Sequence, residues 1–143
     1  AYNTINFLSG SLLNNTLKVY PKIKTNLRTS IMKKLSPTAE AIRHYKLNAS
    51  GGYEEWAKVP CTENYRMHVP SMGFDVSGPA EIKEVIFGWL TEIEAKQELV
   101  DIVEFGSTVT CYLNISDKGG TVLNITEIFK TDDVGRVEEI WAL

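Results

Sequence analysis

"TVTCYLNISDKGGTVLNITEIF", Thr108 to Phe129, decides the fold. Apolar residues alternate with period two on both sides of Asp117-Lys118-Gly119-Gly120, which predicts an antiparallel hairpin closed by a glycine turn. If those residues close the turn, Ser116 opposes Thr121. Asn114 then faces Leu123, Tyr112 faces Ile125, and Thr110 faces Glu127, all on one side of the hairpin with Phe129. The other side takes Val109, Cys111, Leu113, Ile115, Val122 and Ile128, with Asn124 and Thr126. This greasier side suits a core or a second copy of the chain, and the mixed side suits a pocket wall. On the mixed side a carboxyl group walled by Ile125 and Phe129 should resist ionising, leaving Glu127 able to give or shuttle a proton. The competing reading is a solvated glutamate at a sheet edge.

Outward from the hairpin, "LVDIVEFG" before it and "RVEEIWAL" after it continue the alternation, giving four strands in a row. The segment before them, "SGPAEIKEVIFGWLTEIEAKQE", has period 3.6. Ile82, Val85, Ile86, Trp89, Leu90 and Ile93 form one stripe, behind Gly78 as a cap and Pro79 at the first helical position. "NYRMHVP" reads as a short strand closed by Pro70, with Asp75 in a turn beyond it. "GYEEWAKVPCTENY" reads as a short helix holding Trp56, and "SPTAEAIRHYKLNASGG" as a helix stopped by Gly51-Gly52. Helices first and an antiparallel meander last make an α+β fold with the helices gathered on one face.

The 143 residues amount to one domain plus an arm. Residues 1–37 carry six basic side chains and no acidic one, and the remainder carries nine basic and eighteen acidic. We therefore divide the chain into a basic arm, 1–36, and a body, 37–143. The arm has Leu27, Ile31 and Leu35 at helical spacing and docks on the acidic body or on a second copy of it. An acidic body argues against nucleic acid, and no apolar run is long enough for a membrane span. Cys61 and Cys111 stand apart from any CxxC or Cys/His cluster, so neither zinc nor a disulfide framework is expected. A reducing, cytoplasmic setting is the expectation. Four N-x-S/T triplets, at Asn14, Asn48, Asn114 and Asn124, are not taken as signs of secretion, since two lie in strands. No phosphate loop, GxSxG elbow or HExxH is present, and no cofactor or metal is expected.

From Ala39 to Leu143 the order of parts resembles the SnoaL-like and ketosteroid-isomerase-like superfamily, which includes nuclear transport factor two. The parts are "IRHYKLNASGG", "YEEWAKVPCTENYRMHVP", "SGPAEIKEVI" and the strands after Leu99. The resemblance implies a strongly curved antiparallel sheet wrapped around N-terminal helices, an open cone with an apolar pocket. It also implies a cofactor-independent isomerase or cyclase of secondary metabolism, acting on a small, largely apolar polyketide or terpenoid intermediate. The alternative is a non-catalytic ligand-binding or dimerisation module on the same fold. A homodimer is expected either way, since the second face of the sheet is too apolar to leave wet. The isomerases' protonated acid falls on Glu127 and their oxyanion-hole tyrosine near Tyr45. Their carboxylate base falls on Val69, so His68 or Tyr45 becomes the second proton-transfer partner. Tyr112, Asn114, Thr110, Ile125, Phe129 and Trp56 are expected around the substrate.

Overall fold

Ser36 starts the first helix. Its Oγ accepts from the Ala39 N–H at 3.2 Å, and Pro37 occupies the first helical position, where its missing N–H costs nothing. Helix α1 (Pro37–Leu47) ends where the Asn48 N–H reaches the His44 and Tyr45 carbonyls. The computed structural model describes residues 34–143, so the expected basic arm and its amphipathic helix lie outside the described residues save for 34–36. The start of the helix is anchored to strand β3 and to the turn between β5 and β6. Ser36 donates through its N–H and its hydroxyl to Glu104 (2.8 and 2.5 Å), and Thr38 donates its hydroxyl to the Gly135 carbonyl.

A short helix α2 (Tyr53–Trp56) leads to β1 (Cys61–Val69), a turn at Pro70–Met72, and β2 (Phe74–Ser77). The expected turn around Asp75 is thus a strand, paired through His68↔Asp75. The expected regular helix after it, α3, is interrupted. It runs as Gly78–Glu81, widens to a π-helix over Ile82–Phe87, and resumes as α-helix over Gly88–Glu92. Widening turns the apolar stripe so that Ile82, Ile86 and Phe87 point at the same hollow. The meander follows as β3 (Lys96–Phe105), β4 (Thr108–Ser116), β5 (Val122–Thr131) and β6 (Val137–Ala142).

The six strands form one open sheet in the order β2-β1-β6-β5-β4-β3. All neighbours are antiparallel except β1 and β6, which run parallel, so the expected antiparallel sheet is a mixed one. Breaks in register on the β1–β6, β3–β4 and β5–β6 ladders bend it around the helices. Ala39, Ile42 and Tyr45 of α1 pack with Trp56, Ile82 and Ile86 against Val109, Cys111, Leu113, Phe129 and Ile140 of the sheet.

The β4–β5 register differs from the expected one by a single residue. The loop runs from Asp117 to Thr121, and the ladder resumes at Ser116↔Val122. The cause is the Asp117 side chain, whose Oδ1 accepts from the N–H groups of Gly119 and Thr121, both at 2.9 Å, while Gly120 takes φ 83°. One residue of slip turns all of β5 over relative to β4. Glu127 therefore opposes Cys111, not Thr110. The inner face of the hairpin is Val109, Cys111, Leu113 and Ile115 with Ile125, Glu127 and Phe129. Thr110, Tyr112 and Asn114 lie on the outer face with Thr126 and Ile128. Replacing Asp117 by Ala should lower unfolding free energy by about 1 kcal/mol in urea titrations, through loss of the two loop hydrogen bonds. An unchanged midpoint would show that the loop holds its shape without them.

Candidate functional site

The concave side of the sheet and helices α1 and α3 enclose a cavity of about 100 Å³. Its walls are hydrocarbon and aromatic, from Trp56, Met67, Ile86, Phe87, Leu90 and Phe129 among others. Tyr45, Lys46, Gln97 and Glu127 share its lining, with Ser71 as a further polar side chain. Trp56 is fixed edge-on to Tyr45, with ring centroids 5.2 Å apart, and donates its indole N–H to the Tyr65 hydroxyl at 2.8 Å.

Lys46 is the residue that sequence reasoning missed. Its Nζ lies 2.5 Å from Glu127 Oε2, and the two side chains are 4% and 8% exposed. They meet as a charge contact, for the angle leaves that oxygen without a well-directed hydrogen bond. Lys46 Nζ also donates to Gln97 Oε1 at 3.1 Å, and Gln97 Nε2 reaches the Tyr45 hydroxyl at 3.5 Å. The ammonium sits 5.0 Å from the centre of the Tyr45 ring and 5.9 Å from that of Phe129. Among the described residues Gln97 is the one hydrogen-bond acceptor of the ammonium beside its charge contact with Glu127, and Lys46 belongs to the lining of the cavity.

Burial alone would pull the Lys46 pKa down. Glu127, with lesser help from Tyr45 and Cys111, outweighs it and lifts the group above its ordinary 10.5, so it is a cation at neutral pH. Glu127 thus faces an ammonium as well as hydrocarbon. Burial also raises the Tyr45 phenol, with Lys46 opposing and Glu127 reinforcing it, so this hydroxyl keeps its proton as a donor. Behind the pair, burial pushes the Cys111 thiol up to about 12.

The structure brings together Glu127, Tyr45, Ile125, Phe129 and Trp56 around the cavity. It does not bring the others there. Tyr112 (44% exposed), Asn114 and Thr110 sit on the far side of the sheet, because the one-residue slip separates them from Glu127. His68 also faces outward. It stacks on Trp141 with centroids 4.1 Å apart, its Nδ1 is 3.3 Å from Asp75 Oδ1, and its Nε2 is 3.3 Å from Glu139 Oε1. His68 consequently cannot share a proton with Glu127, while its neighbour Val69 lines the cavity. Among the described residues no cluster of three His, Cys, Asp or Glu is placed to hold a metal ion, and no helix is long and apolar enough to cross a membrane.

No protein-family model matches the chain, and no curated protein sequence does. Solved structures do match it. A candidate SnoaL-like polyketide cyclase from Jannaschia sp. CCS1 is 16% identical with a TM-score of 0.59, over 78% of this chain and 90% of that one. The epoxide hydrolase/cyclase-like enzyme SalBIII, of pyran ring formation in the polyether salinomycin, is 18% identical with a TM-score of 0.61, over 74% and 88%. A candidate ketosteroid isomerase from Kribbella flavida DSM 17836 is 18% identical with a TM-score of 0.57, over 73% and 75%. The likeness establishes the fold.

Removing one partner of a buried ion pair strands the other charge, so Lys46→Met should cost about 3–5 kcal/mol. Lys46→Met/Glu127→Leu, which removes both charges, should recover most of that loss. The pH dependence has a definite sign. A pKa raised on folding contributes stability that is complete below the unfolded value and is lost as pH climbs through the folded one. The contribution of Lys46 should therefore be whole up to about pH 10.5 and decline as pH climbs above it toward the raised folded value. Urea unfolding of the three proteins between pH 7 and 11 checks both points. Equal destabilisation of single and double variants would contradict the pairing.

Proposed function

For a chain with the cone fold of the SnoaL-like and nuclear-transport-factor-two-like superfamily, we propose a cofactor-independent isomerase or cyclase that works by proton transfer next to a carbonyl group. The observation that carries this reading is the buried Lys46–Glu127 pair in the lining of an apolar cavity. A buried ion pair stabilises a fold little more than well-packed hydrocarbon would, so its presence in a hollow points to use. The enzymes among the structural neighbours, a pyran-forming cyclase and candidate isomerases and cyclases, support the same class of chemistry.

The roles follow from charge. A substrate carbonyl oxygen accepts a hydrogen bond from the Lys46 ammonium, with the Tyr45 hydroxyl as second donor. Glu127, as carboxylate, takes a proton from the carbon beside that carbonyl. The C–H electron pair forms the enolate double bond, and the carbonyl electrons move onto the oxygen facing the ammonium. A raised pKa suits Lys46 to steadying this charge, as it keeps its own proton while the enolate exists. Where the ketone carries a β,γ double bond, the resulting dienolate takes the proton back from Glu127 at its γ carbon and the double bond moves to the α,β position, which is isomerisation. Alternatively the enolate carbon attacks an electrophilic carbonyl in the same molecule, and Glu127 protonates the new alkoxide, which is ring closure. Gln97 is a positioning residue, holding Lys46 and Tyr45 through its two amide atoms.

The test needs no knowledge of the natural substrate. Incubation of 1-tetralone with the protein in heavy water, followed by NMR, should show deuterium entering the carbon beside the carbonyl faster than in buffer. Glu127→Gln should slow that exchange by about 10²–10⁴-fold while the protein still unfolds cooperatively. Wild-type exchange at the buffer rate, with ligand still bound, would replace this reading by the binding-module alternative. Full exchange in Glu127→Gln would remove Glu127 from the chemistry.

A further inference from the structure

The two donors of the site have a support outside the cavity, and its role rests on the catalytic reading just given. We propose that Tyr65, on β1, is a positioning residue of the reaction. Through the Trp56 indole it fixes the two rings that flank the Lys46 ammonium. Tyr65 is absent from the cavity wall, so it acts through Trp56 or not at all.

The link begins with one hydrogen bond. Trp56 and Tyr65 are both buried, and β1 turns Tyr65 inward between the exposed Asn64 and Arg66. An indole has a single polar atom, and here its N–H donates to the Tyr65 hydroxyl at 2.8 Å. That N–H makes no other hydrogen bond among the described residues. A buried donor left without an acceptor is costly, so this bond selects one of the two faces-over orientations open to the ring. The selected one aims the polar edge of Trp56 away from the cavity and leaves hydrocarbon facing in. Burial raises the Tyr65 phenol, which therefore keeps its proton and puts no charge behind the indole.

Trp56 in turn meets both rings beside the ammonium. Its centroid is 5.2 Å from that of Tyr45, edge-on at 69°, and 6.1 Å from that of Phe129, tilted at 36°. Lys46 Nζ lies 5.0 Å and 5.9 Å from the centres of the same two rings. An indole turned over would offer both of them a different edge, and a close-packed interior passes such a change on to its neighbours. The atoms displaced would be the Tyr45 hydroxyl and Lys46 Nζ, the donors to the carbonyl oxygen. Misplaced donors lose charge stabilisation in the transition state, while the hydrocarbon that binds a ligand stays the same.

Tyr65→Phe keeps the ring and removes the acceptor. In the heavy-water assay with 1-tetralone it should lower kcat by roughly ten- to a hundredfold and change KM by less than about threefold. Trp56→Phe removes the same hydrogen bond from its other side, and in that background Tyr65→Phe should lower kcat no further. NMR of protein labelled at tryptophan, tyrosine and lysine should show the Trp56 indole N–H, the Tyr45 ring and the Lys46 ammonium all shifted in Tyr65→Phe. Unchanged kcat in folded Tyr65→Phe, or an equal loss in both backgrounds, would overturn the proposal and leave Glu127-dependent exchange standing. Should Tyr65→Phe not fold, Trp56→Phe alone must move the Tyr45 and Lys46 signals and lower kcat, and failure on either count overturns the proposal too. Wild-type exchange at the buffer rate sinks the catalytic reading instead, and Tyr45 and Lys46 signals unmoved by Tyr65→Phe would then sink the positioning as well.

Discussion

A lysine ammonium and a glutamate carboxylate 2.5 Å apart tie helix α1 to strand β5 beside the apolar cavity. Desolvating two charges costs several kcal/mol apiece, and their attraction only roughly offsets it. The pair therefore does little for net stability, but it makes the site's geometry strict. Neither member tolerates the absence of the other. The helix must present Lys46 at one height and one rotation, and α1 is pinned to do so, by Ser36 on Glu104 and Thr38 on Gly135 at its start. At its end the Asn48 N–H and side-chain amide both reach the His44 carbonyl, closing the helix two residues past the lysine.

The remainder of the body gives that pair its dry surroundings. The π-helical segment of α3 turns Ile82, Ile86 and Phe87 into the hollow, and the β5–β6 pairing brings Ile140 and Ala142 up beside Phe129 and Glu127. Low polarity around the charges strengthens the field that Lys46 exerts on any oxygen placed against it. Outward-facing polarity is handled separately. His68 is occupied by Asp75, Glu139 and Trp141, and Arg66 by Asp75, so the convex side carries its own charge network with no path to the cavity.

Much of this was legible in the sequence, and the misses have plain physical causes. Period-two alternation located the meander and period 3.6 located α3, since both patterns follow directly from which face is buried, while α1 was located by its stop at Gly51-Gly52. Glu127 was found because a carboxylate stood among Ile125 and Phe129. Tyr112, Asn114 and Thr110 were misplaced because a hairpin's faces depend on whether its loop holds an even or odd number of residues. Here the Asp117 carboxylate added one. Lys46 escaped notice because Leu47 beside it looks like the buried residue, yet Leu47 is 57% exposed. The signal was present. Ala39, Ile42 and Lys46 stand at i, i+3 and i+7, one line down a helix, and Lys46 is the polar member of that line. The partly parallel sheet was hidden for another reason: β1 joins β6 across the chain, and no local pattern records a pairing of such separation.

The state of Lys46 itself tests the account most directly. Protein labelled with ¹⁵N and ¹³C at lysine and glutamate should show, at neutral pH, a slowly exchanging Lys46 ammonium signal. That ammonium should couple through space to the Glu127 carboxylate carbon, and the signal should vanish in Lys46→Met/Glu127→Leu. A lysine signal with the shift of a neutral amine, or an ammonium with no contact to Glu127, would contradict the buried ion pair and the chemistry built on it.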